Sequence, residues 1–445
     1  MNKLIVKNAL IVNEGRCFAS DLMIEGSRIS RIDSDISDSR AVVLDAEGKY
    51  LLPGCIDDQV HFREPGLTHK ADMFTESRAA VAGGVTSYME MPNTVPPVLS
   101  RSALEDKYQI ARKRSAANYS FYMGASNSNA EEVLAVDYRN VCGIKIFMGS
   151  STGDMLVDDE SALERLFGEA PALIATHCED ESTIRANAEM YRSKYGSELT
   201  AAYHPLIRSR EACTISSGFA ISLARRCGTR LHILHLSTRE EALSLETGCP
   251  LSQKRITAEV CVHHLYFDSS GYASLGNLIK CNPAIKEASD RLALAEALKA
   301  GALDVVATDH APHTLEEKQR PYAEAPSGLP LVQHSLLLMV EMSQRNGWDL
   351  PFIVEKMAHH PAVCFGIRGR GFVREGYFAD LVLLDLKGKT LVDKSQVLYK
   401  CGWSPLEGTT LPGRVAATFV NGQLVYDGSS VMPDQFGMRL EFERN

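Results

Sequence analysis

The sequence predicts an α/β protein: a (β/α)8 TIM-like barrel carrying a small β-sandwich domain built from both ends of the chain. Three observations lead there. Apolar runs suited to buried strands recur at about 56–62, 85–91, 118–124, 141–148, 171–177, 230–236, 256–262 and 303–309, with segments of helical period such as 100–116, 181–195 and 208–226 between most of them. Both ends of the chain are rich in short β signals instead. The polar residues of the middle gather where its strands end, which is where chemistry collects in such a barrel. That placement favours the barrel over an open, doubly wound sheet.

Length and composition agree. At 445 residues the chain exceeds one ordinary domain, and its 45% hydrophobic and 23% charged residues suit a soluble globular protein. A net charge of −9 and the lack of a basic cluster argue against a nucleic-acid surface. The opening Met1-Asn2-Lys3-Leu4-Ile5-Val6-Lys7 has too short an apolar run for a signal peptide, and no run approaches the roughly 20 residues that span a bilayer. The 11 cysteines are scattered singly, with no Cys-x-x-Cys pair, and read as the reduced thiols of a cytoplasmic protein.

Taken in order, strands at 4–12, 21–24, 29–32 and 41–45 belong with others at 379–384, 416–421 and 423–426, the last two meeting at an Asn421-Gly422 turn. This assigns 1–52 and 370–445 to one β domain and 53–369 to the barrel. The first barrel strand lies between the turns Pro53-Gly54 and Pro65-Gly66, and residues 59, 61 and 63 share one of its faces. They are Gln59, the potential metal ligand His61, and Arg63, a cation suited to a carboxylate. Strand two runs into Met91-Pro92-Asn93-Thr94, and strand three offers no ligand. Strand four holds a lone Lys145 among apolar neighbours. Strand five closes on His177-Cys178-Glu179, and strand six carries His232 and His235. Strand seven is followed by Lys280-Cys281-Asn282-Pro283, and strand eight closes on Thr308-Asp309-His310-Ala311-Pro312-His313.

Most of these ends carry a metal-competent group, and several His with an Asp form the nitrogen and oxygen set that suits zinc. A lysine in a buried strand must be paired, uncharged or modified. An uncharged Lys145 can take up carbon dioxide to give a carbamate whose two oxygens bridge two metals; the plainer reading is a snorkelling lysine at a strand end. Asp309 can bind metal through one oxygen and accept a proton from the attacking water with the other. His235, nearer its strand end than His232, is the expected ligand there. His310 should point away from the site, and His313 should reach a substrate. The pairs His263-His264 and His359-His360, with His69, His204 and His334, read as structural or surface residues.

The combination Pro53-Gly54, Asp57, His61-Phe62-Arg63-Glu64-Pro65-Gly66, Met91-Pro92-Asn93-Thr94, Lys145, His177, His235, Asn282-Pro283, Asp309-His310-Ala311-Pro312-His313 and Gly402-Trp403-Ser404-Pro405 resembles the dihydroorotase family of the amidohydrolase superfamily, in its longer form with a β domain. The resemblance spans essentially the whole chain. It implies zinc-dependent, reversible cyclisation of N-carbamoyl-L-aspartate to L-dihydroorotate in pyrimidine biosynthesis, with the water activated by metal and by Asp309. It also implies that His61, Lys145 as its carbamate, His177, His235 and Asp309 ligate one or two zinc ions. Gln59 stands where the family has His. A glutamine carbonyl is a weaker, harder ligand than imidazole, so zinc should bind tightly at His177 and His235 and more weakly beside His61. Arg63, Asn93 and His313 match positions that hold the substrate, chiefly its carboxylate, and Asn282 matches one that contacts the ring. Ser327-Gly328-Leu329-Pro330 would offer backbone hydrogen bonds, and the loop 149–154 would close over the site. The implied partners are a second copy of the chain, as a homodimer, and aspartate carbamoyltransferase. Allantoinase- and dihydropyrimidinase-type enzymes share the scaffold, but their substrates lack the carboxylate that Arg63 answers. A non-catalytic dihydroorotase-like scaffold is the other alternative; Gln59 suggests it, and the presence of every other expected residue opposes it.

Overall fold

A computed structural model describes residues 3–149, 155–433 and 437–444. The expected closing loop 149–154 lies, apart from Gly149, outside the described residues. The chain begins with strands β1 (Lys3–Asn13), β2 (Arg16–Glu25), β3 (Arg28–Asp33), β4 (Val42–Asp45) and β5 (Tyr50–Pro53). The barrel strands follow: β6 (Cys55–Val60), β7 (Val85–Glu90), β8 (Asn118–Phe121), β9 (Met123–Gly124), β10 (Ile144–Phe147), β11 (Ile174–His177), β12 (Leu231–Ile233), β13 (Ile256–Cys261) and β14 (Val305–Ala307). β15 (Leu381–Leu391), β16 (Thr410–Val420) and β17 (Gln423–Tyr426) complete the set.

β6, β7 and β8 pair in parallel, and β9 to β14 form a second parallel run in chain order. β8 and β9 are one barrel strand interrupted at Tyr122. The ring closes where Val60 bridges His310 and the His61 amide donates to the His310 carbonyl at 2.7 Å. Every residue of β6, β7, β10 and β11 is buried, as parallel strands covered on both faces require. This burial forces Lys145 and His177 into a dry environment. All eight predicted strands are present. β12 and β14 stop short of the predicted ends, because His235 (φ 40°) and Asp309 (φ 46°) turn the backbone out of the ladder.

Strands from both ends of the chain join in one sheet of order β17-β16-β15-β5-β1-β2-β3, with β4 paired to β1. Val6, Ile11, Leu22, Ile24, Leu51, Leu381 and Phe419 are among its buried side chains. Asp380 ties this sheet to the barrel: it is ion-paired with Arg370, accepts from Asn118 at 3.1 Å and receives the Asn421 amide at 2.7 Å. Residues 437–444 run along the barrel, where the Leu440 amide donates to Tyr119 and that of Phe442 to Arg139. No helix among the described residues is long and apolar enough to cross a membrane.

Candidate metal centre and substrate pocket

The strand ends meet over the barrel mouth. Three of the candidate residues hold positive φ: Arg63 at 68°, His235 at 40° and Asp309 at 46°. Non-glycine residues rarely adopt this region, and each such strain costs about 1 kcal/mol or more, so its clustering marks a functional site. Asp57, also part of the β6 motif, accepts from the Thr308 hydroxyl at 2.6 Å and the Thr308 amide at 3.2 Å. It thereby fixes the turn that presents Asp309.

His61 places Nε2 3.1 Å from Asp309 Oδ1 and Nδ1 2.8 Å from Asn93 Oδ1. Asn93 therefore stands behind the His61 ring and can set its orientation. Gln59 presents its amide NH2 to the same Asp309 oxygen at 3.2 Å, while its carbonyl faces the Cys261 thiol at 3.8 Å. Across the mouth, His177 Nδ1 and His235 Nε2 are 2.9 Å apart, a separation that two ligands of one ion at about 2.0–2.1 Å can span. His177 Nε2 lies 3.1 Å from Glu179, itself ion-paired with Arg208, so the ring is steered by a carboxylate as metal-binding histidines commonly are.

Lys145 lies between these groups at 1% exposure, and its Nζ has no hydrogen-bond partner. It stands 4.4 Å from the Phe147 ring. Burial pulls its pKa down to about 7, against the opposing pull of Cys178, Asp309 and Glu259. An orphaned, readily neutral amine beside converging imidazoles and a carboxylate fits a group that bridges metal ions. The nitrogen and oxygen donor set fits a divalent metal ion.

A cationic pocket adjoins this centre. The Arg63 Nε donates to the Pro312 carbonyl at 3.1 Å, and its Nη2 lies 3.1 Å from His313 Nε2. His313 Nε2 is 3.0 Å from the Ser327 carbonyl, and Lys70 Nζ approaches Nδ1 of the same ring at 3.1 Å. Lys70 escaped the sequence reading, because it sits in a loop with no periodicity to single it out. Gly328, at φ 143°, lets the 327–330 segment pass within touching distance of Ala311, whose carbonyl would be 2.3 Å from an added Cβ. Asn282 Oδ1 lies 3.1 Å from His204 Nε2, and His204 Nδ1 meets the Tyr322 hydroxyl at 2.8 Å. The structure thus brings His61, Asp309, Gln59 and Asn93 into one contact network, pairs His177 with His235 and sets Arg63 against His313.

Several other histidines are buried. His204 is buried beside Asn282, and His263 and His264 are buried at the end of β13. His310 is structural as expected, with Nε2 2.7 Å from Glu76 and Nδ1 accepting the Leu331 amide. His232 is fully buried in an ionic triad, 3.2 Å from Asp58 and 3.5 Å from Glu259. Glu259 in turn accepts the His235 amide at 2.9 Å, so this triad supports the site from below.

The chain's relatives are cyclic amide hydrolases. Residues 169–425 match the family model for the amidohydrolase family, and 48–241 match the one described as dihydro-orotase-like. The chain belongs to the amidohydrolase family. It is 32% identical to a dihydroorotase of Methanosarcina acetivorans, over 92% of this chain and 89% of that one. It is 28% identical to an allantoinase of Escherichia coli, over 95% of each chain. Among solved structures, the L-hydantoinase (dihydropyrimidinase) from Arthrobacter aurescens superposes with a TM-score of 0.93 at 26% identity, covering 99% of this chain and 100% of that one.

Proposed function

We propose that the protein is a zinc-dependent dihydroorotase, interconverting N-carbamoyl-L-aspartate and L-dihydroorotate. The observation that carries this reading is the position of Arg63. Its guanidinium is held at a strained strand end, two residues after His61, against His313 and beside Lys70. A buried fork of donors next to a second cation answers a substrate carboxylate bidentately.

In this reading His61, Lys145 as its carbamate, His177, His235 and Asp309 would hold the metal. Bound zinc would polarise the ring carbonyl and make water acidic enough to ionise near neutrality. The chain's own groups do the rest. Arg63, Asn93 and His313 hold the substrate, chiefly its α-carboxylate, and Asn93 also sets the His61 ring. Asn282 borders the pyrimidine ring. In ring opening, water oxygen adds to the carbonyl carbon and its proton passes to Asp309. The carbon–nitrogen bond then breaks, and Asp309 returns the proton to the leaving nitrogen; ring closure runs the same steps backwards. Cytoplasmic residence, a homodimer and association with aspartate carbamoyltransferase belong to the same reading.

The test compares dihydroorotate with allantoin, dihydrouracil and hydantoin as substrates of zinc-loaded protein. Dihydroorotate should be the preferred substrate. Arg63→Met should lower its kcat/KM by about 100-fold, the loss of roughly 3 kcal/mol from a charge-assisted pair, with any neutral-ring activity little changed. Preference for a neutral ring, or wild-type kinetics in the variant, would reject the assignment.

A further inference from the structure

We propose that Cys261, His263 and His264 form a second metal site, a thiolate–imidazole site for zinc or a similarly soft divalent ion at the end of β13. Their ligand atoms lie within 4.8 Å of one another. All three residues are essentially fully buried, at 0%, 1% and 3% exposure. One edge of the His263 ring faces the Thr308 backbone carbonyl, which leaves its other nitrogen without a partner, and Nδ1 of His264 has no hydrogen-bond partner. An orphaned buried polar atom costs about 1–3 kcal/mol, and one nitrogen from each ring lying beside a thiol points to an ion the three would share.

The tautomer supports the same geometry. His264 Nε2 is 3.1 Å from the Pro283 carbonyl, which can only accept, so the proton sits on Nε2. The orphaned Nδ1 is therefore the nitrogen with a free lone pair. A ligand histidine oriented through its other nitrogen by a backbone carbonyl is a common arrangement in metal sites. The rings of His263 and His264, neighbours in sequence, are 4.2 Å apart between centroids.

Placement gives the site a role. The Cys261 thiol lies 3.8 Å from Gln59 Oε1, so β13 delivers a soft ligand against the β6 position that lacks an imidazole. Cys and His are the preferred partners of zinc. Metal binding breaks the S–H bond, forms a metal–sulfur bond and releases one proton to solvent. The assignment of ligands rests on these three residues and not on Lys145; Gln59 enters only as the neighbour of the thiol.

The experiment uses full-length protein stripped by chelator and reloaded. Cobalt(II) should produce a thiolate-to-cobalt charge-transfer band in the near ultraviolet, lost in Cys261→Ser and retained in Lys145→Ala. X-ray absorption of the zinc-loaded wild type should show zinc–sulfur scattering at about 2.3 Å, a readout that needs no variant to fold. Cobalt binding without the band, a first shell of nitrogen and oxygen alone, or a band that survives in Cys261→Ser would each overturn the proposal. The first two would leave the Lys145-centred site standing, whereas loss of activity with the band intact would strike that site alone.

Discussion

At the scale of single residues, Lys145 is the most decisive. An ammonium at 1% exposure with no partner cannot persist as such, because burial penalises the charged form. If it carries a carbamate that bridges two metals, Lys145→Ala should lower bound metal by at least one ion per chain. Native mass spectrometry of the wild type should find one added carbon dioxide. Unchanged metal content in the variant would mean that the lysine is not a ligand. Gln59 looks different once placed: its NH2 group is turned to Asp309 and its carbonyl to Cys261, so it braces the carboxylate. Lys145 was legible in the sequence because an ionisable residue interrupts an apolar run. His263 and His264 were not. Their meaning depends on β13 ending at Cys261 and on the short helix Val262–Tyr266, which carries both rings close to that thiol.

At the scale of elements, the strand ends are held by buried polar contacts that the sequence does not pair. Lys107, on the helix Arg101–Arg114, sits 3.1 Å from Glu90 at the end of β7, both at 0% side-chain exposure. Lys107 also donates to the Met91 carbonyl at 3.0 Å, and Glu90 receives the Phe62 amide at 2.9 Å. The pair therefore locks the turn carrying Asn93 against the end of β6. Burial raises the Glu90 carboxyl to about 7 and lowers the lysine. Lys107→Met should destabilise the fold by roughly 3–5 kcal/mol in urea titrations, since it strands a buried acid, and adding Glu90→Gln should recover most of that. No recovery in the double variant would show that the helix packs for other reasons. Helical period located this helix from the sequence, but the partner of its one buried lysine became visible only when the strands were placed.

At the scale of the whole molecule, stability should depend on pH through histidines held neutral in the interior. His334 is 4% exposed, its Nδ1 lies 3.3 Å from the Tyr399 hydroxyl, and burial lowers its pKa from 6.5 to about 4. In the window between those values the unfolded chain binds the proton more readily than the folded one. Stability from this group is therefore complete above about pH 6.5 and is lost as pH falls towards 4, by roughly 3 kcal/mol. Urea midpoints measured from pH 7 to 4 should fall less steeply for His334→Gln than for the parent. Equal slopes would place the titrating group elsewhere.

The sequence by itself determined the barrel, the β-rich ends and the order of His61, Lys145, His177, His235 and Asp309 along the chain. Those features follow from local pattern: apolar runs of strand length, helical periods between them, and polar residues at the ends of the runs. Only the tertiary structure decided which polar groups share a site. Lys70, His204 and Cys261 come from a loop, a short helix and the end of a strand, far apart in sequence, and nothing local distinguishes them. Closing the ring between β6 and β14 brings residue 59 to within 3.2 Å of residue 309 and places β13 beside them. That closure makes the missing imidazole at position 59 and the thiol at position 261 neighbours.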